Sequence, residues 1–452
     1  MTTPVQSPPH DLRRVIGLTG GVAVIVGLTI GSGIFRTPPT IAGFVPNPLV
    51  VMALWAAFGL ISICGALVIA ELSSLLPQAG GVYVYLRAAY GDAAAFVFGW
   101  LYVLITTPTT VAALAVVFAE FLLNLTSGMG ATGATVQSVA IVSIIILTFA
   151  NVLGARVGTA VSEITTLVKV TALAAIILGA FWFGHGNLSN IIAGGVVHGG
   201  GLARAVAAVI WTYDGWVAVS MIAGEVVAPE RLMKQIIIVG MLIIVTLYIG
   251  ANLAYLYMMR LGLIAQQKEA IARTVMTAIA GPAAGVLIMF AIMTSILGAL
   301  NANLLAKPRV AYAMARDGLT FAFLGKTHPR WSTPWAAELI VGTVGIIMVL
   351  ALRDYDTLIT YFVVIEWAAL IFAVGAVLVL RRKLADRPRP FRTPGYPWVP
   401  LVFVAGTLVG LSAIVWGQIE VGNFSPIYGL GIAAAGFPVH YLWKRFQQTT
   451  AP

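Results

Sequence analysis

The sequence predicts an all-α membrane protein with twelve transmembrane helices. Of its 452 residues, 60% are hydrophobic and only 9% are charged, and the mean hydropathy is +0.97. Soluble domains have about a quarter of their residues charged, so this chain carries too few charges to cover a water-facing surface. Its apolar stretches are continuous and do not alternate with polar residues, which indicates helices and excludes a membrane β-barrel.

Each predicted span is an apolar run of the length that a bilayer requires, roughly 20 residues. In chain order, the twelve runs cover residues 15–36, 48–76, 92–123, 136–153, 160–183, 203–226, 235–259, 283–315, 334–352, 358–380, 398–418 and 426–443. The polar segments between them are short, and the longest is the basic stretch 381–397. No soluble domain is therefore expected between the spans.

The distribution of lysine and arginine predicts the orientation of these spans. With the N-terminus inside, 19 of the 26 basic residues, including Lys307 and Arg309, lie at the cytoplasmic face, and six lie at the other face. This bias predicts a multi-pass protein of the cell membrane with both tails, 1–14 and 444–452, in the cytoplasm. We attribute the net charge of +10 to basic residues that orient the protein in the bilayer, so no nucleic-acid partner is expected.

Two of the runs contain matched glycine interruptions. Run 1 has Gly31-Ser32-Gly33 near its middle, and run 6 has Asp214-Gly215 near its middle. Gly31 and Gly215 are 184 residues apart, and the starts of the two runs are 188 apart. The breaks therefore occupy corresponding places in two halves of five helices each. Paired breaks of this kind are the best sequence indication of a transporter binding site.

A helix break inside a membrane needs a physical compensation. Unpaired N–H and C=O groups cost several kcal/mol each in hydrocarbon, unless a polar ligand satisfies them. A helix N-terminus suits a carboxylate, and the carbonyls at a helix C-terminus suit an ammonium, so the matching ligand is an α-amino acid. Small residues can also serve only for helix packing. The second break, with its charged Asp214, favours a binding site over that alternative.

Several motifs resemble those of the amino acid–polyamine–organocation superfamily, in its L-type and cationic amino acid permease branch. These motifs are IGSGIF in run 1, AELSSLLPQAGGVYVYLRAAYG at 70–91, WTYDGW at 211–216 and GEVVAPER at 224–231. The resemblance covers residues 15–443. It implies a leucine-transporter-type fold with discontinuous helices 1 and 6, in which 15–183 and 203–380 form a five-plus-five inverted repeat and 398–443 adds two helices.

The resemblance also implies roles for individual residues around the breaks. The amides of Ser32 and Gly33, with Gly31 in the same turn, would bind the substrate carboxylate. Trp211 would cover the site as an aromatic lid and gate. The carbonyls that would bind the substrate ammonium belong to Thr29, Ile30, Trp211 and Asp214.

Lys169 lies about a third of the way into run 5, where an ionisable residue is costly and is a functional candidate by default. By resemblance, its ammonium stands where sodium-coupled relatives hold Na⁺, which implies sodium-independent transport. Proton carriage by this lysine and snorkelling of its side chain to the membrane surface remain as alternatives.

Three acidic residues are further candidates. The resemblance implies that Glu366 lies in the substrate pocket, where it and Asp214 would form an acidic wall suited to cationic side chains. Asp214 alternatively only accepts hydrogen bonds from nearby backbone amides. Glu366 is alternatively a protonated acid or the partner of a lysine elsewhere. Glu225, at the cytoplasmic end of run 6, is either a cytoplasmic gate contact or a solvated carboxylate, and Glu71 and Arg87 have the same two interpretations.

These observations together predict a sodium-independent amino acid exchanger that works by alternating access and accepts cationic or neutral L-amino acids. A proton-coupled symporter of amino acids or polyamines is the alternative, and a non-transporting amino acid sensor is the rival class. The five histidines are scattered, so no catalytic residue, cofactor or metal is expected. Some animal relatives bind a heavy chain through a cysteine between helices 3 and 4. The equivalent loop, 124–135, has none, so no disulfide-linked heavy chain is expected.

Overall fold

A computed structural model describes residues 12–127, 133–192, 194–196, 199–267, 270–351, 355–420, 422 and 424–450. These residues form helices and connecting turns, and no strand occurs among them beyond an isolated bridge between Ile16 and Val226. Most of the predicted N-terminal tail lies outside the described residues. So do 128–132 in the cysteine-free loop and the counted basic residues Lys268 and Arg353.

The helices follow the predicted runs closely. The first part of the chain forms α1 (Leu18–Thr29), α2 (Gly33–Phe44), α3 (Pro48–Leu75), α4 (Val82–Tyr90), α5 (Asp92–Leu101), a π-helical turn (Tyr102–Thr106), α6 (Thr107–Ser127), α7 (Gly133–Val152), α8 (Ala155–Phe183) and α9 (Ser189–Ile192). The remainder forms α10 (Gly199–Tyr213), a 3₁₀ helix (Trp216–Glu225), α11 (Pro229–Met258), α12 (Leu261–Ala265), α13 (Ile271–Ala280), α14 (Pro282–Ala306), α15 (Pro308–Arg316), a 3₁₀ turn (Ala322–Gly325), α16 (Trp335–Ala351), α17 (Tyr355–Lys383), α18 (Trp398–Glu420) and α19 (Ser425–Thr450).

Ten helical segments of the described chain are long and apolar enough to cross a membrane. They correspond to ten of the twelve predicted runs. Of the other two, α16 has only 17 residues and α19 is not among the ten, so the count of twelve stays a prediction. Four shorter helices, α4, α9, α12 and α13, lie in segments that the sequence assigned to connections, because helices this short do not give an apolar run of spanning length.

The basic connection after α17 is fixed to the rest of the protein by Glu71 of α3. Both carboxylate oxygens of this fully buried residue accept hydrogen bonds from Arg381, at 3.0 and 2.7 Å. Arg389 and the amide of Thr393 also donate to it, at 3.1 and 2.7 Å. Glu71 is therefore not the solvated carboxylate that was one interpretation of the sequence. The burial follows from folding of the distant 381–397 segment over it.

Arg87, given the same two interpretations, is partly exposed and joins two segments. Its guanidinium donates to Asp92 at 2.9 Å and pairs with Asp317 at 2.5 Å, while Tyr83 donates to the other oxygen of Asp317 at 3.0 Å. Asp317 directly follows α15, so this cluster attaches the short helix α4 to the end of α15. Arg87 is therefore not a fully solvated charge, because it makes a structural contact between these two segments.

Replacement of Glu71 by glutamine is expected to destabilise the protein by about 3 kcal/mol, since it leaves Arg381 and Arg389 without their buried counter-charge. Thermal unfolding of the purified protein in detergent measures the effect. Asp386→Asn, an exposed change in the same connection, is the matched control and should leave the unfolding temperature unaltered. Equal unfolding temperatures for both variants would contradict this account.

Candidate functional site

Both predicted helix interruptions are present. The first helix stops at Thr29 and resumes at Gly33, and the second stops at Tyr213 and resumes at Trp216. Gly215 has φ of +103°, a conformation that favours glycine, and a Cβ added there would lie 2.5 Å from the carbonyl oxygen of Leu28. The two breaks therefore contact each other directly, and only a residue without a side chain fits where they meet.

The first break leaves several hydrogen-bonding groups outside the hydrogen-bond pattern of a regular helix. Ser32 precedes α2, and its amide donates to no backbone carbonyl in the described part of the chain. Its hydroxyl is buried and has no hydrogen-bond partner among the residues that the structure describes. The first amides of α2 likewise lack partners within the helix, as at every helix N-terminus. This end of α2 can therefore bind an acceptor such as a carboxylate.

The carbonyls near the first break already hold protein donors. The carbonyl of Thr29 accepts from Tyr248 Oη at 2.8 Å and from the Gly31 amide at 3.0 Å. The same Tyr248 hydroxyl also lies 3.0 Å from the carbonyl of Thr212, so this residue of α11 connects the two breaks. A substrate ammonium at Thr29 would have to share or replace these donors. Sequence reasoning missed Tyr248, because a tyrosine in an apolar run gives no signal of its partners.

A small cavity lies between the two breaks. Its volume of about 30 Å³ can hold no more than a few water molecules. It is lined by Leu28, Thr29, Gly31, Ser32, Gly33, Thr110, Leu114, Trp211, Thr212, Asp214, Gly215 and Asn303. Seven of the predicted binding residues are thus brought together, whereas Ile30 and Glu366 are not in the lining. Thr110 and Asn303 were missed, although polar residues within apolar runs are a usable signal.

Lys169 of α8 is fully buried against the first break. Its Nζ donates to the carbonyls of Ile30 at 2.5 Å, Ser295 at 3.1 Å and Gly27 at 3.4 Å. The Ser295 hydroxyl shares the Ile30 carbonyl at 3.2 Å. Carbonyl oxygens around one positive charge are the ligands of a hard cation, and here an ammonium occupies their centre. The snorkelling alternative is wrong, because the side chain is enclosed by α1 and α14.

Asp214 and Glu366 belong to one buried charged cluster, which also contains Lys307. Asp214 accepts a hydrogen bond from Trp367 Nε1 at 3.1 Å, and Glu366 interacts electrostatically with both Asp214 and Lys307. The Lys307 ammonium lies 3.4 Å from Thr110 Oγ1 and 5.3 Å from the centre of the Tyr102 ring. Of the interpretations of Glu366, the structure therefore favours the one in which a lysine elsewhere in the chain interacts with it.

Glu225 is buried in an ion cluster on the side of the N-terminal segment. Arg309 donates to both of its carboxylate oxygens, at 2.7 and 3.2 Å, and to Glu338 of α16 at 2.8 Å. The amides of Val15 and Ile16 donate to the Glu225 carbonyl at 2.8 and 2.9 Å. All three charged side chains are at most 1% exposed, so the solvated interpretation of Glu225 is wrong.

This burial also corrects the charge count. Lys307 and Arg309 were counted as cytoplasmic loop charges, but they are 1% and 0% exposed and interact with acidic residues inside the protein. A charge that is neutralised within the protein does not act on the membrane surface, so it carries no information on orientation. Sequence position alone could not distinguish the two cases, because both residues lie at the junction of α14 and α15.

On the opposite side of the cavity, α2 contacts α10 and α6. The hydroxyls of Thr37 and Thr212 lie 3.0 Å apart, and Arg36 pairs with Glu120 at 3.1 Å while both remain partly exposed. A Cβ at Gly33 would lie 2.8 Å from the Thr212 side chain, which shows how closely the helices approach. These contacts join α2 to α10 and α6 beside the cavity.

Comparison with known proteins identifies the family. A family model described as amino acid permease matches residues 16–435. The chain belongs to the amino acid permease family. It is 30% identical to the serine/threonine exchanger SteT of Bacillus subtilis (strain 168) over 438 residues, which cover 96% of this chain and 98% of that protein.

Two mammalian relatives also match over most of their length. The b(0,+)-type amino acid transporter 1 of Mus musculus is 28% identical over 442 residues, with 97% of this chain and 89% of that protein covered. The large neutral amino acids transporter small subunit 2 of Homo sapiens is 30% identical over 451 residues, with 96% and 81% covered. The family and these relatives are transporters and not enzymes, and the chain is a multi-pass membrane protein.

Replacement of Arg309 by methionine is expected to destabilise the protein by about 3–5 kcal/mol, because Glu225 and Glu338 would remain as unpaired buried charges. Thermal unfolding in detergent measures the loss. Arg316→Met removes an exposed guanidinium from the end of α15 and serves as the control. The triple replacement Glu225→Gln, Arg309→Met, Glu338→Gln should recover part of the stability; if it is no more stable than Arg309→Met, unpaired charge is not the cause.

Proposed function

We propose that this protein is a sodium-independent exchanger of L-α-amino acids that works by alternating access. The observation that carries the proposal is the contact of two helix breaks around a small polar cavity deep in the protein. Two relatives, a serine/threonine exchanger and a b(0,+)-type amino acid transporter, support the same substrate class.

In the proposed complex, the breaks bind the backbone of the substrate. The amides of Ser32 and Gly33 receive the carboxylate, with Gly31 allowing close approach. Carbonyls at the C-terminal ends of the half-helices receive the ammonium, from Trp211 and Asp214 and, in competition with Tyr248, from Thr29. The predicted contribution of Ile30 is dropped, because Lys169 and Ser295 already hold its carbonyl. The unpartnered Ser32 hydroxyl and the position of Trp211 in the cavity wall support this arrangement.

Sodium independence is supported by the surroundings of Lys169. Its ammonium already donates to three carbonyls of α1, the first break and α14. A sodium ion at the same point would meet like-charge repulsion and would find these oxygens occupied. The lysine therefore supplies the positive charge that joins α8 to the broken helix, in place of a coupled ion.

Alternating access requires contacts that can open on either side of the cavity. We propose that the Glu225–Arg309–Glu338 cluster and the backbone pairing of Val15 and Ile16 form the cytoplasmic gate. The Thr37–Thr212 contact and the Arg36–Glu120 pair would form the external gate. The small volume between them matches a conformation closed on both sides.

The proposed architecture is a twelve-span protein with a five-plus-five inverted repeat of 15–183 and 203–380, followed by 398–443. Helices at all twelve predicted runs and the 184-residue spacing of the breaks support it. The excess of basic residues on one side, even without Lys307 and Arg309, supports cytoplasmic tails at 1–14 and 444–452. Cys64 is buried in α3, so we expect no disulfide-linked heavy chain.

Proton-coupled symport is the second candidate, because Asp214 and Glu366 are buried carboxyl groups at or near the cavity. Exchange in proteoliposomes separates the two. We expect uptake of labelled serine, leucine or arginine to require a suitable amino acid inside the vesicles and to be equal in sodium and choline media. Uptake into empty vesicles driven by an imposed pH gradient would instead establish symport. If neither exchange nor uptake driven by a pH gradient is observed, a non-transporting amino acid sensor remains as the function.

Replacement of Ser32 by proline is expected to reduce exchange at least about tenfold, since it removes one amide from the proposed carboxylate site. The φ of Ser32 is −77°, which proline adopts without strain, so the fold should tolerate the change. Ser32→Ala keeps the amide and loses only the hydroxyl, so it should retain far more exchange than the proline variant. Equal exchange by both variants would refute the carboxylate site.

A further inference from the structure

Lys307 is a buried cation that the amino acid binding scheme above does not use. It is 1% exposed and stands between the last residue of α14 and Pro308, which begins α15. Asn303, one helical turn earlier, lines the cavity between the breaks, and so does Thr110, whose hydroxyl lies 3.4 Å from the Lys307 ammonium. The lysine therefore lies beside two residues that line the same cavity as Asp214.

The charges around this ammonium are acidic. Asp214 and Glu366 both interact electrostatically with Lys307 and with each other. The Tyr102 ring lies beneath the ammonium, with 5.3 Å from Nζ to the ring centre. Two carboxylates, an aromatic face and a threonine hydroxyl are the groups that would bind the side chain of lysine, arginine or ornithine. Here the hydroxyl and the ring lie beside a side chain of the protein itself, and the two carboxylates act on it electrostatically.

We propose that Lys307 takes the place of a cationic substrate side chain and thereby restricts the exchanger to neutral amino acids. This inference rests on the proposed exchange function and names its substrate class. With Lys307 in place, the formal charge of the three groups is −1, and without it the charge is −2. A second cation would enter beside an existing ammonium, in a low-dielectric region where like charges repel strongly.

The proposal changes the meaning of the acidic pair. From the sequence alone, Asp214 and Glu366 suggest a preference for cationic amino acids. In the folded protein, their charge is partly offset by a lysine from a distant part of the chain. The hydroxyls of Tyr102 and Thr106 also interact with Glu366, so the pocket retains polar groups that could receive a cation if Lys307 were removed.

The test is a comparison of exchange in proteoliposomes with labelled serine, leucine, arginine and lysine. The wild-type protein should take up a neutral amino acid at least about tenfold faster than arginine or lysine. Lys307→Met should raise arginine uptake at least about tenfold relative to neutral uptake in the same vesicles. Lys307→Arg keeps the charge and should still exclude cationic substrates, and Lys444→Met, at an exposed site near the C-terminus, should behave as wild type.

The double replacement Lys307→Met, Asp214→Asn should lose the gained arginine uptake, because it removes one of the two carboxylates that would bind it. Wild-type exchange of arginine at the neutral rate would overturn the inference, and so would a Lys307→Met protein that exchanges neutral amino acids without gaining arginine. If Lys307→Met is inactive in transport, thermal stabilisation of the purified variant by arginine decides: a gain over wild type supports the inference, and no gain contradicts it. A wild-type protein that exchanges no amino acid at all would contradict the proposed function instead.

Discussion

Peptide groups released from two interrupted helices have to be satisfied inside the protein, because the hydrocarbon of a membrane offers them no water. Much of the surrounding structure follows from this constraint. The Tyr248 hydroxyl lies within hydrogen-bond distance of one carbonyl beside each break, and Lys169 and Ser295 share the carbonyl of Ile30. Groups that remain without a protein partner, such as the Ser32 hydroxyl, are located where a zwitterionic ligand could complete the set.

The same constraint governs the charged residues, which occur as compact clusters of opposite sign. Arg309 is held by Glu225 and Glu338, and Lys307 lies among Asp214 and Glu366. Separating the helices would leave buried ions unpaired at a cost of several kcal/mol. Each cluster therefore holds together the helices that carry its residues. Because contacts of this strength either form or break as a unit, they suit a transporter that alternates between closed and open sides.

The fold was largely predictable because a bilayer imposes length and apolarity on every span. All twelve runs coincide with helices, although α16 and α19 fall short of the length or apolarity expected of a span. The breaks were predictable because glycine and a charged residue interrupt otherwise apolar runs. The small helices α4, α9, α12 and α13 were missed, since none of them is long enough to give an apolar run of spanning length.

The sequence by itself determined that this is a multi-helix membrane protein with two broken helices and a lysine at mid-span, because each of these features is local or periodic. Only the tertiary structure decided which partners these residues have. Tyr248 lies between the breaks, Thr110 and Asn303 line the cavity, and Lys307 belongs to the acidic cluster and not to a cytoplasmic loop. Such pairings join residues on different helices, from 36 to 219 positions apart, and the packing of helices that creates them has no periodicity along the chain.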